Sequence, residues 1–363
     1  MIGEDKRMRG ILKGYLFEIV VLDLLRRNDF IPYKPNPKVN PFFKEEREGF
    51  IEFRGRGCWH QIDCPCDYRY LIPFIYPIRL LGEVKYYRKP ITKEHVREFI
   101  GVLKDIQENY VIAVNQGIND LRPRMTEIGV FFSASGFNPE AENLAYAHGI
   151  KTISYANNHL INNIKKAIDK LEENHLSVKC LENDYWHDFR REIIEGLDRG
   201  YFDGDVLSST FLNTASPNYG NQHPLNDLLE AYSKIKSCFV ASTYSGVILQ
   251  FFSKSEFPSE LFEHTDYRKC RVFYTMKRNR RYFWMQFVNI NGKLDKRKFY
   301  FTPPESLSSA AVHGGSIVLN EKLRIFKAIS INIKLSNISR NLVIELDRDW
   351  FDAIAENIEG NNL

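Results

Sequence analysis

Apolar residues recur along the chain with two different periods. In the first twenty-five positions Ile11, Tyr15, Leu22 and Leu25 share one face of a helix. Ile78-Arg79-Leu80-Leu81 is instead a short apolar run of the kind found in buried strands. Helical spacing returns at Val96, Phe99, Ile100, Leu103 and Ile106, just after Pro90-Ile91-Thr92, where Thr92 can serve as N-cap. A strand over Ile128 to Phe132, a loop Ser133-Ala134-Ser135-Gly136, a helix from about Asn138 through Ala147 and a short strand Ile150 to Ile153 follow. This alternation predicts a mixed sheet flanked by helices.

The character changes after a further helix at about Asn157 to Glu173. A charged, aromatic helix near Asn183 to Leu197, a loop of Ser, Asn, Gly and Pro from Asn213 through Pro224, and a short helix from Leu225 to Ile235 lead into strands. Residues 270–275 and 282–288 flank a basic turn, Asn291-Gly292 signals a hairpin before Lys298 to Phe301, and Ile329, Ile331, Ile333 and Leu335 alternate with polar residues. Leu342 to Leu346 can pair with that last strand. The pattern predicts two domains, an α/β domain over residues 1–176 and an α+β domain with an antiparallel sheet over residues 177–363.

Charge and composition narrow the picture only a little. The formal net charge is +4, from 50 basic and 46 acidic residues, which permits local nucleic-acid patches without requiring them. The N-terminal residues lack the apolar core of a signal peptide and no apolar run reaches membrane-spanning length, so a soluble cytoplasmic protein with no membrane contact is expected.

The candidate chemistry lies between residues 59 and 87. Trp59-His60-Gln61-Ile62-Asp63 ends one strand on a carboxylate, and Gly82-Glu83-Val84-Lys85 ends the next on an acid-apolar-lysine triplet. Strand alternation puts Glu83 and Lys85 on one face and Val84 behind it. Two carboxylates from adjacent strands suit a hard divalent cation, with Lys85 beside it to orient a nucleophile or stabilise developing charge. Glu18 falls on the apolar face of the first helix, where a carboxylate is costly unless paired or facing a site. It either joins the acidic set or forms an ion pair, for which Arg26 is a candidate partner. Cys58, Cys64 and Cys66 cluster near His60, but there is no Cys-x-x-Cys pair and the spacing argues against zinc. His60 and Gln61 are not assigned as ligands, and Cys180, Cys238 and Cys270 are expected to be free buried thiols.

The inward Glu18, the Gln61-Ile62-Asp63 strand, Glu83-Val84-Lys85, the Phe99-Ile100-Gly101-Val102-Leu103 helix, and Val130 through Phe137 leading into Glu140 to Ala145 together resemble the Mrr-type restriction endonucleases of the PD-(D/E)xK superfamily. The resemblance covers about the first half of the chain. It implies a restriction-endonuclease-like fold there, with Asp63 and Glu83 binding Mg²⁺ (Mn²⁺ as substitute), Lys85 acting with them in cleavage of DNA, and Glu18 as the helical acid. Two features depart from the superfamily: Ile62, not Pro, precedes Asp63, and the segment between Asp63 and Glu83 carries an insertion with Pro65, Pro73 and Pro77 suited to a lid or dimer contact.

Outside that half, Lys277, Arg278, Arg280 and Arg281 sit beside Tyr274, Tyr282, Phe283 and Trp284. Such a turn can hold phosphates while the aromatics stack on bases, or be a solvated tip whose aromatics face a core. Ser133 and Ser135, at a strand-to-helix junction, are second-rank phosphate donors, and Asn138 reads more simply as an N-cap. The expected protein is a Mg²⁺-dependent DNA endonuclease of restriction or antiphage-defence type, dimeric because double-strand cleavage needs two sites, with a possible defence-system partner protein. The alternatives are a nucleic-acid-binding or sensor protein on a nuclease-like scaffold and a ligand- or RNA-activated nuclease.

Overall fold

The computed structural model describes residues 2–33, 43–45, 51–109, 124–172, 175, 186–201, 224–277, 280–305, 328–335 and 338–350. The boundary at residue 176, the segment from Asn213 through His223, Cys180 and Arg278 lie outside them.

A five-stranded mixed sheet forms the first layer. It contains β1 (Phe30–Pro32), β5 (Cys64–Tyr68), β6 (Ile78–Lys85), β7 (Thr126–Ser133) and β8 (Lys151–Ser154), in that spatial order. β1, β5 and β6 pair antiparallel; β6, β7 and β8 run parallel. The parallel connections pass through α2 (Lys93–Gln107) and α3 (Pro139–Ala147), as parallel pairs need a crossover. Val96, Phe99, Leu103 and Ile106 on α2 are buried against Leu81 and Phe131 of the sheet. Thr92 occupies the α2 N-cap as expected, its N–H donating to His95 Nδ1 at 3.4 Å. Asn138 holds the N-cap position of α3, but Pro139 follows it and its side chain makes no capping bond. At Gly82 an added Cβ would come within 2.9 Å of Cys64 Cβ and 3.0 Å of Cys64 O, so the glycine allows β5 and β6 their close approach.

The opposite face of the sheet is covered by α1 (Ile2–Arg26), which is more than an amphipathic surface helix. Leu16, Phe17, Val20, Val21, Leu24 and Leu25 are all buried, so residues 16–25 of the helix are enclosed nearly all round. Leu80, Val84, Val130 and Phe132 pack beneath it. α4 (His159–Lys170), α5 (Trp186–Arg199) and α6 (Pro224–Ser233) contribute Ile161, Ile193 and Leu228 to that same core. A separate three-stranded sheet of β2 (Phe43–Glu45), β3 (Ile51–Arg54) and β4 (Trp59–Ile62) packs on the α2 side.

The C-terminal strands close on themselves. β9 (Ser237–Thr243), β10 (Ile248–Ser253), β11 (Tyr267–Lys277), β12 (Arg280–Phe287), β13 (Phe299–Phe301), β14 (Ala328–Leu335) and β15 (Ile338–Leu346) form a barrel in the order β10-β13-β12-β11-β15-β14-β9. Its pairings are antiparallel except β11 with β15, where Tyr267 to Cys270 run parallel to Val343 to Leu346. The expected antiparallel sheet is therefore a closed barrel with one parallel seam. Its interior is filled by alternate residues, among them Phe239, Phe251, Met285, Phe287, Phe299, Ile331 and Ile344, which removes the exposed edges of an open sheet.

The barrel is joined to the first layer by polar contacts around an apolar centre. Tyr155, following β8, is 1% exposed and donates to Gln250 Oε1 at 2.6 Å, with Phe252 packed beside it. Val240 N–H donates to Asn28 Oδ1 at 2.8 Å, and Arg27 donates to the carbonyl of Ile235 at 2.9 Å. Among the described residues no helix is long and apolar enough to cross a membrane.

Candidate active site

Asp63 stands where β4 of the small sheet ends and β5 of the large sheet begins. This change of sheet buries its side chain to 8% exposure and turns it toward the end of β6. Asp63 Oδ2 accepts the Val84 N–H at 2.8 Å and lies 3.6 Å from Lys85 Nζ. Lys85 Nζ also forms a close ion pair with Glu83. The acid-apolar-lysine triplet and the preceding acid therefore meet in three dimensions, with the middle residue contributing its backbone.

Glu18 joins this set electrostatically. Burial first, and then the negative charge of Asp63, push its pKa up to about 8; Arg190 and Lys85 pull the other way. Arg26 is committed elsewhere, donating to Asp23 Oδ1 at 2.7 Å and to Asp198 Oδ1 at 2.7 Å. Burial and Asp63 likewise raise Glu83, to about 7, against the pull of Lys85. Burial works against the Lys85 ammonium, but Asp63 and Glu83 outweigh it and hold its pKa above the ordinary lysine value. Three carboxylates thus gather near Lys85 and Arg190, and burial together with their mutual repulsion raises the proton affinity of Glu18 and Glu83. Arg190, on α5, is the member that sequence reasoning missed, because its helix lies far along the chain and carries no motif.

Two openings lie nearby: of Asp63, Glu83, Lys85 and Glu18, Asp63 alone lines the first, and Tyr86, the neighbour of Lys85, lines the second. A groove of about 930 Å³ exposes Asp63 beside Arg26, Arg69, Arg190 and Arg191. A second cleft of about 1210 Å³ begins at Tyr86, immediately after Lys85, and runs between the C-terminal ends of the parallel strands and the barrel. Its charged lining is mixed, Lys13, Arg88, Lys165 and Arg280 alongside Glu142, Asp169, Glu172 and Glu305, with Ser135 among them. Burial, reinforced by the positive charge of Arg280, lowers Lys165 to about 8, and its ammonium donates to the Ala134 carbonyl at 2.7 Å. Burial together with Lys254, Lys277 and Lys166 lowers His159 on the same side.

Ser135 and Arg280 thus share a cleft although the sequence separates them widely. The Ser135 hydroxyl donates to the Lys89 carbonyl at 2.6 Å, and the buried Ser133 hydroxyl donates to the Gly136 carbonyl at 2.8 Å. Lys277 and Arg280 pair at the exposed end of the β11–β12 hairpin, and Arg281 is half-buried. Strand alternation puts Phe283 and Trp284 on opposite faces. Phe283 faces the barrel core, Trp284 stacks on Phe273 at 5.6 Å beneath Lys298, and Tyr274 is exposed. Between Asp63 and Glu83 the insertion forms the end of the β5–β6 hairpin, with Leu71, Phe74 and Tyr76 exposed.

No family model matches the chain. No curated protein matches it. Among solved structures, the crystal structure of a protein of unknown function, AF1548, is similar over 60% of this chain and 95% of that chain, with 13% identity and a TM-score of 0.34; a likeness of that size bears on neither fold nor function.

Proposed function

We propose that this chain is a metal-dependent endonuclease that hydrolyses DNA phosphodiester bonds, of restriction or antiphage-defence type and built on a PD-(D/E)xK-like domain. The observation that carries the reading is the meeting of Asp63, Glu83 and Lys85 at one end of the sheet, with Glu18 coupled to them.

The donor set fits a hard divalent cation. It offers carboxylate oxygens, and the proton affinities of Glu18 and Glu83 are raised by burial first and by the charge of Asp63 second, both of which a bound cation would offset. Asp63 and Glu83 would hold Mg²⁺, with Mn²⁺ as a substitute. When bound, the cation supplies charge for the phosphoryl oxygens and makes a water more acidic.

The chain's own groups divide the remaining work. The Val84 N–H fixes the Asp63 carboxylate. Lys85 is held as an ammonium, so it orients the nucleophile and stabilises charge on the phosphate and does not abstract a proton. Glu18, raised to about 8 by burial and by Asp63, would give up its proton to the charge of a bound cation and could then accept one. In the cleft beginning at Tyr86, Arg88, Lys165 and Arg280 could contact DNA phosphates, although Glu142, Asp169, Glu172 and Glu305 line the same cleft. Cleavage of both strands by one such site per chain calls for a homodimer.

The test is plasmid DNA incubated with wild type and Asp63→Ala, in Mg²⁺ or EDTA, with RNA in parallel. Mg²⁺-dependent cutting of DNA by wild type alone supports the reading. Cutting that survives EDTA or the substitution rejects it, and cutting of RNA alone replaces the substrate.

A further inference from the structure

The geometry points to a second, softer metal site, formed by Cys58, His60 and Asp105, that takes Zn²⁺ and ties the β3–β4 turn to α2. The ligating atoms of the three residues all lie within 4.8 Å of one another. Cys58 Sγ is 3.4 Å from His60 Nε2, which in turn is 2.7 Å from Asp105 Oδ2. Tetrahedral zinc with Zn–S of about 2.3 Å and Zn–N of about 2.0–2.1 Å separates sulfur from nitrogen by about 3.6 Å. The pair already stands close to that spacing. Zinc would separate nitrogen from oxygen by about 3.3 Å, so loading widens the His60–Asp105 contact by roughly half an ångström.

The third ligand is itself oriented from behind. Gly57 N–H donates to Asp105 Oδ1 at 2.9 Å, and Cys58 N–H to Asp105 Oδ2 at 3.3 Å. The backbone comes so close that an added Cβ on Gly55 would collide with Asp105 Oδ2. Such outer contacts fix a ligating carboxylate. A thiolate, an imidazole and one carboxylate favour zinc over magnesium. Cys58 is exposed, leaving the fourth position to water or an incoming ligand. Binding releases the thiol proton of Cys58 and requires His60 to present Nε2 unprotonated, with its ring proton on Nδ1.

Cys64 and Cys66 take no part: both are buried in the core under α1. Spacing along the chain argues against zinc only because the residue completing the set comes from α2, after two intervening strands. The site lies at the start of β4, the strand that leads directly to Asp63. A metal there would pin the segment that delivers Asp63.

The experiment is titration of the full chain with Co²⁺ and then Zn²⁺, comparing wild type, Cys58→Ala and Asp63→Ala. Wild type and Asp63→Ala should each gain a near-ultraviolet sulfur-to-cobalt charge-transfer band that Zn²⁺ abolishes. Cys58→Ala should lack it and bind Zn²⁺ at least about tenfold more weakly. Cys58 is exposed, so its replacement leaves the core untouched. Absence of the band in wild type, or its persistence in Cys58→Ala, overturns the proposal. Loss of the band in folded Asp63→Ala would make Asp63 part of the thiolate-bound metal centre and overturn the proposed ligand set equally.

Discussion

The backbone N–H of Val84 donates to Asp63 Oδ2 at 2.8 Å, so the residue between Glu83 and Lys85 fixes the third member of their set. This separates two roles of Asp63. Asp63→Asn keeps an oxygen for the buried N–H and should melt near wild type while losing Mg²⁺-dependent cleavage. Asp63→Ala leaves the N–H unpaired and should lose cleavage together with about 1–3 kcal/mol of stability. Melting curves and plasmid cleavage on both variants check this; full cleavage by folded Asp63→Asn would remove Asp63 from the site. Glu83→Ala should likewise abolish cleavage.

Lys85 neutralises the acids that the proposed metal would also neutralise. Lys85→Ala should therefore lower the melting temperature most in EDTA and regain more of it than wild type on addition of Mg²⁺, while turnover is largely abolished. Thermal shift with and without Mg²⁺, paired with a single-turnover assay, reads both effects. Unchanged turnover excludes Lys85 from the chemistry.

Glu18 carries a pH signature. Its folded pKa, about 8, lies above the ordinary carboxylate value of 4.5. Between those values the folded state holds more protons than the unfolded one, so rising pH removes stability, and the loss is complete above the folded value. Each tenfold difference in proton affinity is worth about 1.4 kcal/mol. In EDTA, Glu18→Gln should match wild type at about pH 4 and exceed its stability increasingly toward about pH 9, while cleavage slows. A variant less stable than wild type at high pH would identify Glu18 as the structural partner of Arg190.

Much of the layout is legible in the sequence, and the missing parts have a common cause. The α2 stripe, the parallel strands ending at Lys85 and Ser133, and the pairing of Ile331 with Leu342 follow from local periodicity, which side chains on a helix or strand must obey. Asp63 is visible there as a carboxylate, but its position at the crossing between two sheets is not. Barrel closure depends on pairings such as Tyr267 with Val343 that no local pattern encodes. Arg190 beside Glu18, Arg280 beside Ser135 and Asp105 beside His60 are long-range meetings of the same kind.

The junction between barrel and sheet rests on a buried bond from Tyr155 to Gln250 at 2.6 Å. Tyr155→Phe would leave the buried Gln250 Oε1 without its bond to the sheet side. A loss of about 1–3 kcal/mol is expected. Urea unfolding measures it, and a loss well under that range would show that apolar packing with Phe252 alone secures the junction.

Arg280 reaches from the barrel hairpin into the cleft that Ser135 and Lys165 line, and Lys277 pairs with it at the hairpin end. If DNA phosphates occupy that cleft, replacing Lys277 and Arg280 with Ala should weaken binding and reduce the slope of log affinity against log salt by about 0.9 for each phosphate no longer neutralised. Hydrolysis at saturating DNA should survive, since Asp63, Glu83 and Lys85 keep their mutual interactions. The measurement is fluorescence anisotropy on catalytically inactive Asp63→Asn across a salt series, with turnover measured separately in the active background. An unchanged slope would leave the hairpin as a solvated tip and move the search for the phosphate-binding surface to Arg69 and Arg191, in the groove that exposes Asp63.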